Sequence, residues 1–245
     1  SGTTIYANDH YALATLDSKS TIRAFNDDRW NNALTARVLS LIEAVNFPIE
    51  LIAEEGLVDT TQFFRFHALV DKKSFKRKIL KYGYQCFIKV ARNLVRDNDA
   101  FIINSYLPAK KAIKLELSLG QWPQIWRSPQ FELVEKPNLL LRKSLTKQFV
   151  IKSGSNLENI SRALLFELLP VCYLEGFSDL NKTVSQQPWP KSPKFIFTSN
   201  NFDMDEVFKL WAAIKVESGS KYYTGQHGNK YGTHRYLLPS VEEAT

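Results

Sequence analysis

Hydrophobic and polar residues are arranged over residues 194–224 in a pattern that predicts a strand, a helix and a second strand. Residues 194–198, with the sequence KFIFT, are a short apolar run between Pro193 and two asparagines, which is typical of a buried strand. Residues 221–224 form a similar run that ends at a glycine. Because the strands of a strand–helix–strand unit are parallel, the pattern predicts an α/β fold with a mainly parallel sheet.

The helix between these strands is predicted from its cap residues and its apolar face. Asp203 and Glu206 lie three residues apart, the spacing of an N-cap and the acid that reciprocates it. Gly219 is a typical residue to follow a helix end. Asp203 is therefore expected to cap the helix, and Asp205 to lie in its first turn, where the helix dipole favours an acid. The apolar positions fall at i, i+3, i+4 and i+7, namely Val207, Leu210, Trp211 and Ile214.

Residues that follow parallel strands emerge along one edge of the sheet, and open α/β folds bind their ligands at this edge. The two strands are therefore expected to place residues 199–203 beside residues 226–229. Together these segments carry amide, carboxylate and imidazole groups. The pattern thus predicts a polar site at the carboxyl ends of the strands.

A third strand is predicted over residues 100–105, an apolar run that ends in Asn104 and Ser105. Pro108 suits the first turn of the helix that follows, which is expected to continue to Gly120. If this strand joins the same sheet, Asn104, Ser105 and Tyr106 face the same edge as the other polar groups.

The rest of the chain is predicted to be mostly helical. Helices are expected over residues 32–45, 60–70, 75–95 and 157–169, and a further strand over residues 49–53. Residues 22–30 fit either a strand or a turn. Residues 120–137 show no periodicity and are expected to form an ordered loop.

Composition and charge narrow the class of protein. The chain has 245 residues, of which 44% are hydrophobic and 23% charged, as is ordinary for a soluble globular protein. Lys and Arg number 32 against 25 Asp and Glu, so the net charge of +7 favours anionic partners. Cys86 and Cys172 lie far apart, fit no metal spacing and are expected to be small buried residues. No signal peptide or membrane-spanning run is visible, which predicts a cytoplasmic protein.

A basic cluster lies at the start of the helix predicted over residues 75–95. Cations near a helix N-terminus oppose the helix dipole. A solvated face is the simpler interpretation. The functional one is a surface for an anionic polysaccharide or for lipid phosphate, the latter through peripheral contact with an anionic membrane surface. Aromatic residues are too sparse there to favour nucleic acid. The cluster comprises Lys72, Lys73, Lys76, Arg77, Lys78 and Lys81.

The predicted edge offers groups for acid–base or nucleophilic chemistry. Asp203 or Asp205 could act as a general base or as a nucleophile toward a sugar carbon. His227 lies among glycines, with Lys230, His234 and Arg235 nearby, a combination that suits a phosphate or carboxylate ligand. The chain contains no dinucleotide or phosphate-loop fingerprint, and no cofactor is predicted. The absence of a GxSxG motif disfavours a serine hydrolase. His227 and His234 are seven residues apart and no cysteine joins them, so no metal is predicted.

Four segments resemble a group of bacterial transferases of surface-carbohydrate biosynthesis. The most specific are SNNFDMDE at 199–206 and GQHGNKYG at 225–232, and the others are NSYLP at 104–108 and YLEGF at 173–177. The similarity covers most of the chain from about residue 30 onward. The group is glycosyltransferase-like and is distantly similar to retaining transferases that move Kdo, an acidic sugar, from CMP-Kdo. The resemblance implies a Rossmann-like, mainly parallel sheet flanked by helices, as the N-terminal half of a GT-B-like glycosyltransferase. Residues 1–245 would then be a single α/β domain, the acceptor-side half of a two-domain transferase.

The resemblance also implies roles for the residues at the predicted edge. Asp203 or Asp205 would act as the nucleophile or as the general base. Gln226 and His227 would contact the transferred sugar or its leaving phosphate. The expected catalytic residues are thus Asp203, Asp205 and His227. The expected substrate-binding residues are Asn104, Ser105, Asn200, Asn201, Gln226, Lys230, Tyr231, His234 and Arg235.

These observations predict a glycosyltransferase that moves a sugar from a nucleotide donor onto a bacterial surface polysaccharide. Its expected partners are the nucleotide-sugar donor and a glycan acceptor, in the cytoplasm or peripherally at the inner membrane. One alternative is a transferase or hydrolase for another phosphorylated substrate. The other is a basic binding module that docks on anionic lipid or nucleic acid.

Overall fold

The computed structural model describes residues 13–42, 93–124, 126, 129, 131, 133, 136–149 and 155–225. The chain divides into two compact units. The first holds the described residues of Ser1–His67 and Glu132–Asp179, and the second holds those of Ala68–Phe131 and Leu180–Thr245. The organisation of the chain as a single α/β domain stays a prediction.

The first unit begins with two helices that start at aspartate caps. α1 (Ser18–Ala24) follows Asp17, whose carboxylate accepts a hydrogen bond from the Ser20 amide at 2.7 Å. α2 (Asp28–Leu41) follows Asp27, whose carboxylate accepts hydrogen bonds from the amides of Arg29 and Trp30, the second and third residues of this helix. Residues 22–30, left open between a strand and a turn, therefore belong to these helices and the turn between them. The predicted helix start at residue 32 is wrong by one turn.

The described part of the first unit continues with helices α4 (Leu139–Phe149) and α5 (Asn156–Leu168), which pack against each other. A 3₁₀ turn (Val171–Tyr173) follows, and then α6 (Phe177–Ser185), whose residues from Leu180 on belong to the second unit. α5 confirms the helix predicted over residues 157–169. α4 and α6 were not predicted. In α4 the apolar residues do not mark the buried face, since its only buried residue is an arginine.

That arginine, Arg142, forms a buried ion pair in the first unit. Its guanidinium donates to both carboxylate oxygens of Glu175, at 2.7 and 2.6 Å. It also donates to the carbonyl oxygens of Phe166 and Leu169, each at 2.7 Å. These carbonyls lie at the C-terminal end of α5, where a helix leaves acceptors without intrahelical partners. Arg142 therefore links α4 to the end of α5 and to the loop that holds Glu175.

The second unit contains a parallel sheet of three described strands in the order β1-β2-β3. The strands are β1 (Phe101–Ile103), β2 (Phe195–Thr198) and β3 (Lys221–Thr224). Both strand pairs are parallel, and Ile196 of β2 lies opposite Phe101 on one side and Tyr222 on the other. The three predicted strands and their parallel arrangement are confirmed, so the fold is α/β in the coarse sense.

Two helices connect β2 to β3, a single turn, α7 (Asn201–Met204), and a longer helix, α8 (Glu206–Glu217). Gly219 follows the end of α8 with φ +95°, which confirms it as the residue that stops the helix. The predicted strand–helix–strand unit is therefore present, with the extra turn of α7 inserted after β2.

The core of the second unit is built around Phe101, which is fully buried in β1. Its ring centroid lies 4.4 Å from that of Trp211, 5.0 Å from that of Trp189 and 5.0 Å from that of Trp126. The ring of Phe208 stacks on that of Phe101, with the two centroids 6.3 Å apart. This aromatic cluster fixes β1 against α8, so the carboxyl ends of β1 and β2 are held in register.

Helix α3 (Ala109–Ser118) follows β1 through Pro108 and ends before Gly120, which has φ +73°, as predicted. Its one buried residue is Glu116, whose carboxylate accepts a hydrogen bond from the Gln124 amide at 2.7 Å. Burial raises the pKa of Glu116, and the nearby Asp99 carboxylate raises it further, while hydrogen bonds from Gln124 and Gln121 oppose the rise.

Glu116→Gln is expected to remove a pH-dependent loss of stability. Because the pKa of Glu116 is raised in the folded state, its contribution to stability is greatest below the unfolded pKa of about 4.3 and declines as pH rises through the folded pKa. Glutamine keeps an oxygen for the Gln124 amide but carries no charge. Urea unfolding from about pH 4 to pH 8 measures the difference, which should favour the variant increasingly as pH rises. A constant difference across this range would contradict the prediction.

Several predicted features lie outside the described residues. These are the helix over residues 60–70, residues 75–92 of the next helix, the strand over residues 49–53, Cys86 and the basic cluster at residues 72–81. Cys172 is described, buried and not in a disulfide, as predicted. Within the described ranges no helix is both long and apolar enough to cross a bilayer.

Candidate functional site

The ends of the three strands meet at one edge of the sheet, which we call the carboxyl edge. The backbone amide of Ser199, just after β2, donates to the carbonyl of Asn104, just after β1, at 3.2 Å. The amide of Gly225, just after β3, donates to the carbonyl of Thr198 at 2.8 Å. A Cβ on Gly225 would lie 2.6 Å from the Ser199 hydroxyl oxygen and 2.8 Å from the Phe197 ring, so any larger residue would displace these side chains. The predicted meeting of β1, β2 and β3 at a shared edge is confirmed up to residue 225.

A network of amide and carboxylate groups crosses this edge. Asn201 is buried, and its side-chain oxygen accepts a hydrogen bond from the Asn104 side chain, 97 residues away in sequence. The Asn201 side-chain nitrogen donates to Asp205 Oδ2 at 2.7 Å. Asp205 Oδ1 accepts from the backbone amide of Phe208 at 3.0 Å. Asn201 therefore ties the end of β1 to the start of α8.

The two aspartates have exchanged their predicted positions. Asp205, not Asp203, is the N-cap of α8, and Asp203 lies in α7 with an exposed side chain. The prediction of Asp203 as the cap is wrong because Asp205 has non-helical φ and ψ of −109° and 89°, which separate α7 from α8. The carboxylate of Asp205 thus holds the edge together, while Asp203 is exposed.

Thr198 supports the same edge and was not among the predicted site residues. Its hydroxyl oxygen accepts from the amide of Asn201 at 3.1 Å and from that of Asn200 at 3.4 Å. A threonine that ends a strand before two asparagines is a sequence signal for such a turn, since threonine hydroxyls often bind amides two or three residues on.

The loop after β1 has an unusual backbone conformation. Asn104 and Tyr106 have φ of 45° and 53°, and they are the described non-glycine residues in the left-handed region. Asparagine tolerates this region, but it is strained for tyrosine. The Tyr106 hydroxyl accepts a hydrogen bond from the Asn200 side-chain nitrogen at 2.5 Å, and Ser105 Oγ accepts from the Leu107 amide at 3.4 Å. Strained residues held in this way are concentrated at functional sites.

Asn200 carries an acceptor that the described structure leaves unused. Its side-chain oxygen is buried and has no hydrogen-bond partner among the described residues. Buried polar atoms are nearly always paired, so this oxygen is a candidate contact for a donor group of a ligand, such as a sugar hydroxyl.

The predicted site residues that are described all lie along this edge. They are Asn104, Ser105, Asn200, Asn201, Asp203 and Asp205. The structure joins the side chains of Asn104, Asn201 and Asp205, and separately joins Asn200 to Tyr106. The remaining predicted site residues lie outside the described residues and stay predictions: Gln226, His227, Lys230, Tyr231, His234 and Arg235. No group of three or more His, Cys, Asp or Glu placed to hold a metal occurs in the described part of the chain.

The second unit also has a cavity of about 450 Å³ on the amino-terminal side of its sheet. Its lining includes Asp97, which precedes β1, Lys191, which precedes β2, and Lys215 near the end of α8. The rings of Trp189 and Trp211 form part of its wall. This cavity is a concave surface separate from the carboxyl edge. The candidate site is assigned to the carboxyl edge because of its polar groups and its strained backbone.

Comparison with known proteins identifies a family for this chain. A protein-family model described as "LIC12162 family transferase" matches residues 1–245. No curated protein and no solved structure matches the chain. Because the match extends over the whole chain, the chain belongs to the LIC12162 family of transferases.

Proposed function

We propose that this transferase is a glycosyltransferase that moves a sugar from a nucleotide donor onto a bacterial surface polysaccharide. An acidic ulosonic sugar such as Kdo is the first candidate for the transferred group. The proposal is supported by membership of a transferase family and by the polar groups at the carboxyl edge of a parallel sheet. On this proposal the sheet belongs to a Rossmann-like domain in a GT-B-like enzyme.

The observation that carries the proposal is the arrangement of amides at this edge. The buried oxygen of Asn200 is unused, and a sugar hydroxyl is a donor that would satisfy it. The neighbouring chain of hydrogen bonds from Asn104 through Asn201 to Asp205 holds the surrounding backbone in place. A polar, preorganised edge of this kind suits a ligand rich in hydroxyl groups.

The exposed carboxylate of Asp203 is the proposed reactive group. It lies one turn from Asn200, in α7, and its side chain is exposed to an incoming substrate. As a nucleophile it would attack the anomeric carbon of the donor sugar while the bond from that carbon to the phosphate oxygen breaks. Asp205, with both oxygens accepting hydrogen bonds, is proposed as a positioning residue.

The residues after β3 complete the proposed site. His227 and Gln226 are proposed to contact the leaving phosphate or the transferred sugar. Lys230, Tyr231, His234 and Arg235 are proposed to bind acidic groups of the donor or of the sugar.

Asp203→Asn is expected to lower the rate of sugar transfer by at least about a hundredfold, because the amide can neither attack nor accept a proton. The measurement is turnover of the full chain with CMP-Kdo and a panel of other nucleotide sugars, in the presence of glycan acceptors. Glu217→Gln, which neutralises an exposed acid at the other end of α8, is the matched control and is expected to keep full activity.

Two results would contradict this assignment. Equal turnover by wild type and Asp203→Asn would remove Asp203 from the site. Release of free sugar or inorganic phosphate with no transfer to any acceptor would indicate a hydrolase of a phosphorylated substrate instead.

A further inference from the structure

Helix α3 presents two different faces to its surroundings. Glu116 is buried, and Ala112 and Leu119 on the same side are half-buried. The opposite side is exposed at i, i+3, i+4 and i+7, the spacing of one helix face. These four exposed residues, which we call the α3 stripe, are Lys110, Ile113, Lys114 and Leu117.

The apolar residues of the α3 stripe have large exposed fractions. Ile113 is 47% exposed and Leu117 is 55% exposed, and they lie four residues apart on the helix surface. The loop before the helix adds Leu107 at 40% and Tyr106 at 59%. Several large exposed aliphatic and aromatic side chains on one helix and the loop before it, next to a candidate site, are typical of an interaction surface.

The charges of α3 are also one-sided. Lys110, Lys111 and Lys114 are all exposed, and none forms an ion pair with a described residue. The helix has no acid in its first turn, and its only acid, Glu116, is buried on the opposite side. Because cations in the first turn oppose the helix dipole, this arrangement is intrinsically unfavourable for the isolated helix and is favoured by an anionic partner.

We propose that the α3 stripe, with Leu107 and Tyr106, docks on an anionic lipid bilayer. A helix that carries lysines beside aliphatic residues lies in the plane of a membrane, with its lysines near the lipid phosphates and its apolar side chains at the acyl boundary. The stripe favours lipid over nucleic acid, because binding of single strands relies on aromatic stacking and the surface has one aromatic residue, Tyr106. The lysines of α3 match the negative surface charge of such a bilayer.

Docking here would bring the bilayer next to the carboxyl edge. Tyr106 belongs to the docking surface and also binds Asn200 through its hydroxyl. A membrane-bound acceptor would therefore reach the candidate site without leaving the lipid surface, a consequence that rests on the proposed function. The docking itself is independent of catalysis and is tested without it.

The test is co-sedimentation of the full chain with vesicles of phosphatidylcholine alone and with about 30% phosphatidylglycerol added. Binding is expected only to the anionic vesicles and is expected to weaken as salt rises.

The triple variant Lys110→Glu, Lys111→Glu, Lys114→Glu is expected to lower the partition coefficient by about a hundredfold, since each lysine near the surface contributes about fivefold. Ile113→Ser with Leu117→Ser is expected to lower it by about tenfold or more.

The matched control reverses three other exposed lysines of the second unit, Lys182, Lys194 and Lys221, which gives the same change in net charge. In this control the partition coefficient is expected to fall by less than about tenfold. Circular dichroism checks that every variant is folded. Three results would each overturn the proposal. The first is an equal loss of binding in the two triple variants, and the second is unchanged binding by the Ile113/Leu117 variant. The third is equally tight binding of a single-stranded oligonucleotide that only the lysine reversals abolish.

Discussion

Arg142→Met is expected to lower the free energy of unfolding by about 3–5 kcal/mol, the usual cost of removing one partner of a buried ion pair. The guanidinium side chain is 3% exposed and that of Glu175 is 7% exposed, so solvent does not replace the lost hydrogen bonds. The substitution leaves the Glu175 carboxylate and the carbonyls of Phe166 and Leu169 without these donors. Urea unfolding followed by circular dichroism measures the change.

The matched control for this prediction is Arg162→Met. Arg162 pairs with Glu158 one turn earlier in the same helix, α5, but at an exposed position. Exposed pairs at this spacing contribute about 0.3–0.5 kcal/mol, so the control is expected to change stability far less. Similar losses in both variants would show that the Arg142 pair does not hold α4 to the end of α5.

The same pair determines how the first unit responds to acid. Burial alone raises the pKa of Glu175, but hydrogen bonds from Arg142 and from the Asn138 amide outweigh burial, and the pKa is lowered. A lowered folded pKa contributes stability above the unfolded pKa of about 4.3, and this contribution is lost as pH falls through the folded pKa. In the Arg142→Met variant this acid-side loss is expected to be smaller, because the main hydrogen-bond donor is gone.

Phe101→Ala is expected to destabilise the second unit by about 3–5 kcal/mol, through lost burial and the cavity left behind. The cavity would lie among Trp126, Trp189 and Trp211, whose rings contact Phe101 directly. Four of the five tryptophans lie in this unit and Trp30 lies in the first. Tryptophan fluorescence during urea unfolding of a Trp30→Phe background therefore reports the transition of the second unit. Because β1 carries Asn104 at its end, the carboxyl edge is expected to loosen as well.

Tyr223→Ala is the control for the Phe101 substitution. Tyr223 lies in β3 of the same unit and is 48% exposed, so its truncation removes less apolar surface from a packed environment. Its cost is expected to remain below about 1.5 kcal/mol. If Phe101→Ala cost no more than this control, the aromatic cluster would not be the core that positions the sheet.

The candidate site was predictable where local patterns carry the information. The apolar runs at 194–198 and 221–224 led to two parallel strands, and parallel strands necessarily share a carboxyl edge. The third strand was predictable as a strand, but its pairing with β2 depends on residues nearly a hundred positions away. Tyr106 is part of the site only because its loop folds back onto Asn200 across that distance.

By itself, the sequence determined the elements whose signals are local. These are the apolar period of α8, the glycine that ends it, the strands on either side and the resulting polar edge, since backbone preference and hydrophobic spacing act within a few residues. Only the tertiary structure decided that Asp205 caps α8 in place of Asp203, because the bond between Asn104 and Asn201 anchors the intervening turn α7 to another strand. The burial of Arg142 directly after three exposed leucines was decided in the same way, since its partners lie on other segments of the chain.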